Sequence, residues 1–137
     1  MTEASSGRYG LGRIGALVPI AYMGGIYWLS SLPGVPGLDT SPAGLIILAT
    51  PPALQNLLHI PLFGLLAWLW QWSLRAWSLR MPLVHGTALL LTVAFGVLDE
   101  FHQLQVPGRH ASIGDMGLNA LGAVVVLWFV RRSGTRP

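Results

Sequence analysis

Polar side chains able to do acid–base chemistry or bind an anion interrupt the apolar stretches of this chain. The candidate catalytic residues are His59, Asp99, His102 and Arg109. The candidate binding residues are Glu100, Gln103, Asp115 and Asn119. A histidine oriented by a carboxylate can act as a general base or acid, and an arginine can bind a phosphate or carboxylate through two parallel hydrogen bonds. This combination favours a site for a phosphate- or carboxylate-bearing ligand.

The spacing of the polar residues between positions 99 and 103 predicts that they lie on two faces of one helix. Asp99, His102 and Gln103 are three and four residues apart, so they share a helix face. Glu100 is rotated by about 100° from Asp99 and is expected to face a different neighbour. We expect Asp99 to orient His59 or His102. A purely structural ion pair between Asp99 and Arg109 is the alternative.

A second polar face begins after the dipeptide Pro107-Gly108, which predicts a tight hairpin. Asp115 and Asn119 are four residues apart, and the small residues Gly122 and Ala123 continue their face, which allows a close helix contact. Asp115 also follows Ser112 by three residues, so a structural capping box is a second interpretation.

Structural alternatives stay open for other members of the set. Glu100 could reach the headgroup region by snorkelling, and His59 could be a hydrogen-bonding residue between packed helices. We interpret His110 as a solvated loop residue and His85 as a residue of the opposite interface.

Composition places these residues in a membrane protein. The chain has 137 residues, of which 53% are hydrophobic and 9% charged, whereas a soluble domain has roughly 25% charged residues. A domain of this size cannot bury so much apolar surface. Cysteine is absent, which excludes disulfides, zinc–thiolate sites and thiol catalysis. The basic residues form no stripe, so nucleic-acid binding is not expected.

Hydropathy predicts an all-α membrane protein, one domain of four transmembrane helices. The spans cover about residues 14–32, 53–72, 83–103 and 113–130, since about 20 apolar residues cross a bilayer. The outer connection, residues 33–52, is longer and irregular. Its apolar centre AGLIILA is too short to span, so we expect a surface loop that dips into the interface, with a re-entrant segment as the alternative.

Arginine placement predicts that both termini are cytoplasmic, in a bacterial inner membrane. Seven of the eight basic residues then lie inside: Arg8, Arg13, Arg75, Arg80, Arg131, Arg132 and Arg136. Arg109 alone lies outside. This orientation brings His59, the DEFHQ segment and Asp115 to one depth near the outer surface, with nothing comparable expected at the cytoplasmic side.

The stretch GVLDEFHQLQVPGRHASIGDMGLNALGA, residues 96–123, closely resembles the signature of VanZ-like membrane proteins. That signature has an Asp-Glu pair, a nearby His-Gln, a Val-Pro-Gly-Arg hairpin, and an Asp and an Asn before Gly-Ala. His59 matches a second family motif. Gln55 and Asn56 stand where Asp-Lys is common, and Phe63 stands where Tyr is common. The resemblance covers spans two to four. It implies a cell-envelope protein, since the founding member is associated with teicoplanin resistance, but it assigns no reaction.

Two classes of function remain open from the residues. The first is an enzyme or ligand-handling protein of the cell envelope that acts on a membrane lipid, such as a phospholipid or a phosphorylated isoprenoid. The second is a non-catalytic accessory subunit packed against a larger membrane protein complex. The partners expected are thus a membrane lipid, and either such a complex or further copies of the chain in a homo-oligomer. A metal or haem site at His59 and His102 is disfavoured, because no tight helical metal motif occurs. We therefore expect no cofactor.

Overall fold

The computed structural model describes residues 3–77 and 79–133, with side chains from residue 15 onward. Five helices follow one another along the chain: α1 (Glu3–Ser30), α2 (Pro42–Ala49), α3 (Pro52–Arg75), α4 (Met81–Gln103) and α5 (Ile113–Ser133). The described residues contain no strand, which confirms the all-helical class. Helices α3, α4 and α5 are each long and apolar enough to cross a membrane.

The first predicted span differs from these three. Helix α1 has 28 residues, and its apolar part within the region of described side chains runs from Gly15 to Ser30. A helix of 16 residues is about 24 Å long, shorter than the hydrocarbon core of about 30 Å. Four spans therefore stay a prediction. The side chains of Arg8, Arg13 and Arg136, used to orient the chain, lie outside the described residues.

Part of the outer connection is helical, although the sequence pattern predicts an irregular stretch. Ser41 begins α2: its Oγ accepts a hydrogen bond from the Gly44 amide at 3.1 Å, and its own amide donates to Asp39 Oδ1 at 2.8 Å. Pro42 suits the first helical turn because its missing N–H needs no partner there. The helix ends before Pro51. The sequence therefore contains a helix start signal, the dipeptide Ser41-Pro42. The apolar run that follows is too short to predict the helix without that signal.

Helix α3 is the centre of the bundle, since it contacts α1, α4 and α5 and packs most extensively against α5. Two glycines make this contact close. A Cβ added to Gly122 would collide with the carbonyl oxygen of Ile60, and one added to Gly64 would lie 2.8 Å from Val126 Cγ2. The predicted close approach of the last helix through its small face is confirmed.

Apolar side chains fill the bundle and also cover its outside. The two buried clusters consist of Ile26, Phe63, Leu66 and Phe95, and of Ala67, Ala88, Ala123 and Leu127. Leu90 and Leu98 on α4 are nevertheless 68% and 66% exposed. Exposed apolar side chains on long apolar helices suit a bilayer, because contact with lipid chains does not carry the free-energy cost of contact with water.

The connection between α4 and α5 is the predicted tight hairpin. The Arg109 amide donates to the Val106 carbonyl at 3.0 Å, with Pro107 and Gly108 between them. Gly108 has a φ of 76°, the left-handed conformation that the third residue of a type II turn requires. The Gly34 amide donates to the Pro107 carbonyl at 3.0 Å, so the hairpin packs on the segment that follows α1.

Gly122→Ala is expected to destabilise the protein because the new Cβ meets the Ile60 carbonyl at the α3–α5 contact. Overpacking of this kind typically costs about 1–3 kcal/mol. Thermal unfolding of the detergent-solubilised protein measures the effect. Gly117→Ala on the same helix is the matched control, because nothing lies within 4 Å of a Cβ there. Equal melting temperatures for the two variants would contradict the close contact.

Candidate functional site

Five segments meet at one end of the bundle. They are the end of α1, the end of α2, the start of α3, the last turn of α4, and the hairpin with the first turn of α5. His59 of α3, Gln103 of α4 and Asp115 of α5 line one cavity here. The end of α1 and helix α2 also contribute, which the polar pattern did not indicate.

Asp99 connects α4 to α1. Its carboxyl is buried, and Oδ2 accepts hydrogen bonds from Ser30 Oγ at 2.8 Å and from Gln103 Nε2 at 3.2 Å. Asp99 Oδ1 has no hydrogen-bond partner among the described residues. The shared helix face predicted for Asp99 and Gln103 is therefore confirmed. Ser30 is the donor that the sequence reasoning missed.

Glu100 connects α4 to α5. Its Oε2 accepts a hydrogen bond from the Ser112 amide at 3.0 Å, while Ser112 Oγ accepts one from the Gly114 amide at 3.0 Å. In a capping box, Asp115 would occupy the Ser112 amide. Glu100 occupies it instead, so the capping-box interpretation of Asp115 is wrong. Glu100 is completely buried, so its predicted snorkelling is also wrong.

His59 faces Glu100 rather than Asp99. His59 Nδ1 lies 3.2 Å from the Gln55 carbonyl and 3.1 Å from the Asn56 carbonyl. Carbonyls only accept, so Nδ1 carries the hydrogen and Nε2 remains to take up a proton. Nε2 lies 3.8 Å from Glu100 Oε1, beyond direct hydrogen-bond range. The expectation that Asp99 orients His59 is wrong, and Glu100 is the carboxylate placed to stabilise a protonated His59.

His102 lies against α1 and lines neither of the cavities described below. Its Nε2 is 2.9 Å from Ser31 Oγ, and its ring stacks on Tyr27 with centroids 4.1 Å apart. Both contacts restrict the imidazole. Of the two candidate acid–base histidines, His59 lines both of those cavities and His102 lines neither.

Arg109 is held by neutral acceptors. Its Nε donates to the Leu32 carbonyl at 3.1 Å, and its Nη1 donates to Gln55 Oε1 at 2.8 Å. It forms no ion pair with a carboxylate of the described residues, so the alternative of an Asp99–Arg109 pair is wrong. Burial lowers the pKa of the Arg109 guanidinium, and the charge of Asp99 opposes that shift. The guanidinium stays protonated because its ordinary pKa is far above neutrality.

Two adjoining cavities open at this end of the bundle. The polar cavity has a volume of about 350 Å³, and its polar lining includes His59, Arg109, Ser112 and Asp115. The apolar cleft has a volume of about 260 Å³ and lies between α1 and α3; its apolar lining includes Ile26, Leu29, Ile46, Leu58 and Leu62. Both are lined by Gln55, His59, Gln103 and Arg109. The arrangement can therefore receive one ligand with a polar and an apolar part.

The family model VanZ/LLP1 matches residues 5–133, nearly the whole chain. The chain belongs to the VanZ/LLP1 family. The match extends the resemblance, which covered predicted spans two to four, to the first helix. No curated protein and no solved structure matches this VanZ/LLP1 protein.

Asn119 is brought into the bundle rather than to a cavity. It is buried, and neither atom of its amide has a hydrogen-bond partner among the described residues. A Cβ on Gly96 would lie 3.1 Å from Asn119 Nδ2, so the amide packs directly against α4. Its predicted sharing of a buried face with Asp115 is confirmed, and a role in ligand binding stays a prediction.

The opposite end of the bundle also contains buried polar groups, contrary to expectation. Gln71 and Ser73 of α3 are both buried. With its amide oxygen turned toward Arg75, Gln71 Oε1 accepts hydrogen bonds from Arg75 Nη2 at 2.7 Å and from Arg75 Nε at 3.0 Å. These neutral residues escaped notice because the sequence reasoning followed charged and histidine side chains.

No three histidine or acidic side chains of the described region are arranged to hold a metal ion. Gln55 is the most connected residue that the sequence reasoning left out of the candidate site. Its Nε2 donates to the Ile47 carbonyl at 2.9 Å and to the Thr50 carbonyl at 2.8 Å, while its Oε1 accepts from Arg109.

Gln55→Ala is expected to loosen α2, because it removes both side-chain hydrogen bonds to the α2 end and one from Arg109. Each is worth about 0.5–1.5 kcal/mol, and more where the partner is charged. Hydrogen–deuterium exchange should rise in residues 42–50. Asn56→Ala, at the exposed neighbouring position, is the control and should leave that exchange unchanged. Unchanged exchange in Gln55→Ala would show that α2 is held by other contacts.

Proposed function

We propose that this VanZ/LLP1 protein binds a membrane lipid whose headgroup carries a phosphate. The phosphate lies against Arg109 in the polar cavity, and the hydrocarbon chain lies in the apolar cleft. The observation that carries the proposal is the position of Arg109 on the lining of both spaces, with its charge opposed by no ion-paired carboxylate of the described residues.

The state of Arg109 favours an anionic ligand. The Leu32 carbonyl and Gln55 Oε1 orient the guanidinium without neutralising it. A buried charge without an opposite charge is costly, and an anion that supplies one gains correspondingly. Arginine is also the side chain whose fork matches phosphate oxygens. The protein therefore orients the positively charged Arg109 side chain before the ligand binds.

The apolar cleft favours a ligand with a hydrocarbon chain. Leu29 of α1, Ile46 of α2 and Leu58 of α3 line it and are themselves exposed. The cleft is thus open to the surroundings of the bundle. In a bilayer, that opening meets lipid chains. A bound lipid can therefore lie with its chain in the cleft and its phosphate at Arg109.

We further propose four spans with both termini cytoplasmic, in a bacterial inner membrane. The arginine distribution supports this orientation. It places the hairpin and Arg109 on the outer side, at the depth of the lipid headgroups. Helix α1 would complete its span with the residues that precede Gly15.

The orientation can be tested by labelling single cysteines, since the natural chain has none. Thr40→Cys and Gln105→Cys lie in the proposed outer segments, and Leu79→Cys and Ser133→Cys in the proposed inner ones; all four positions are exposed. A membrane-impermeant maleimide should label the first two in intact cells and the others only after permeabilisation. The reverse pattern would overturn the orientation.

Arg109→Gln should weaken binding of phosphate-bearing lipids to the purified protein by about 10- to 100-fold, the loss of one or two charge-assisted hydrogen bonds. Native mass spectrometry of detergent-released protein with added phosphatidylglycerol measures it. Arg80→Gln, an exposed arginine at the opposite end, is the matched control. Lipid binding unaffected by Arg109→Gln would refute the proposal, and stable co-migration with a larger assembly would then favour an accessory subunit.

A further inference from the structure

The polar cavity contains an anionic group as well as Arg109. Asp115 lines the same cavity and is only 6% exposed. We infer that the bound headgroup is zwitterionic: its phosphate pairs with Arg109 and its primary ammonium pairs with Asp115, as in an aminophospholipid. This inference rests on the proposed lipid function and specifies the class of lipid.

The Asp115 carboxylate is available for such a partner. It makes no hydrogen bond or ion pair with the side chains that the structure describes. Glu100 explains why, since it occupies the Ser112 amide that a capping carboxylate would otherwise bind. Asp115 therefore does not cap the helix, and its side chain is buried on the lining of the cavity. A buried carboxylate without a partner is expensive, so a ligand cation gains by neutralising it.

Glu100, a second acidic residue near the cavity, also favours a ligand that carries a cation over a purely anionic headgroup. Glu100 is buried, and its Oε1 has no hydrogen-bond partner among the described residues. Like charges on the neighbouring carboxyls of Asp115 and Glu100 would repel each other. A headgroup bearing only negative charge would meet the repulsion of Asp115 as well as the attraction of Arg109. A headgroup with an added cation avoids it.

The chemistry of the two charged groups specifies the cation further. A carboxylate accepts hydrogen bonds, and a primary ammonium offers three N–H donors, whereas a quaternary ammonium offers none. The cavity volume of about 350 Å³ is within the range of small-molecule sites. Phosphatidylethanolamine therefore matches the site better than phosphatidylglycerol or phosphatidylcholine with the same chains.

The test compares these three lipids on the full chain purified in detergent. Native mass spectrometry should show phosphatidylethanolamine bound at least tenfold more tightly than either of the others. Asp115→Asn should abolish that preference while retaining phosphatidylglycerol binding, because Arg109 is unchanged. Asp39→Asn is the matched control, since Asp39 lies outside the cavity and bonds to Ser41. Thermal unfolding of each variant establishes that it is folded.

The outcomes separate this inference from the proposed function. Binding of phosphatidylglycerol as tight as phosphatidylethanolamine in the natural protein, lost in Arg109→Gln, would overturn the zwitterionic headgroup and leave the lipid-phosphate site standing. The same holds if Asp115→Asn keeps the preference. Failure of the natural protein to bind any of the three lipids would overturn both. The lipid comparison on the natural chain needs no variant to fold.

Discussion

The close backbone contact between α3 and α5 positions the rest of the bundle. Gly122 lies directly against the carbonyl of Ile60, so no side chain separates the two helices there. His59 precedes Ile60 along α3, and Asp115 lies two turns before Gly122 on α5. The distance between the histidine and the start of α5 therefore follows from a contact between main chains. Small residues permit this approach in a membrane, where helices gain little from hydrophobic attraction to one another.

Buried carboxylates attach the remaining helices to this pair. Asp99 binds Ser30 of α1, and Glu100 binds the Ser112 amide at the start of α5. Neighbouring residues of α4 thus bind two different segments, α1 and the start of α5. Such bonds are strong at low dielectric, and they use only part of each carboxylate. The remaining oxygens, Asp99 Oδ1 and Glu100 Oε1, are buried and have no hydrogen-bond partner among the described residues.

The candidate site consists of pre-oriented groups with unbalanced charge. Arg109 is fixed by a carbonyl and an amide oxygen, His59 by carbonyls of its own helix. Asp115 is buried and unpaired with described side chains. Neutral partners orient a charged side chain without satisfying its charge, which leaves the electrostatic gain to a ligand. In the proposed function, the adjoining cleft holds the hydrocarbon chain of the lipid whose headgroup lies beside these charged groups.

The long apolar helices, the hairpin and the family resemblance follow from the sequence alone, whereas helix α2 does not. Hydropathy predicted the long apolar helices, Pro107-Gly108 predicted the turn, and residue spacing predicted which side chains share a face. The contact partners of the polar side chains depend instead on how the helices pack. A helical period specifies the faces of one helix, but not which neighbouring helix each face meets or at what height. Glu100 rather than Asp99 therefore meets His59, and Gln55 with the Leu32 carbonyl holds Arg109. Ser30 and helix α2 joined the site for the same reason, because their positions depend on how α1 and its connection pack on the bundle.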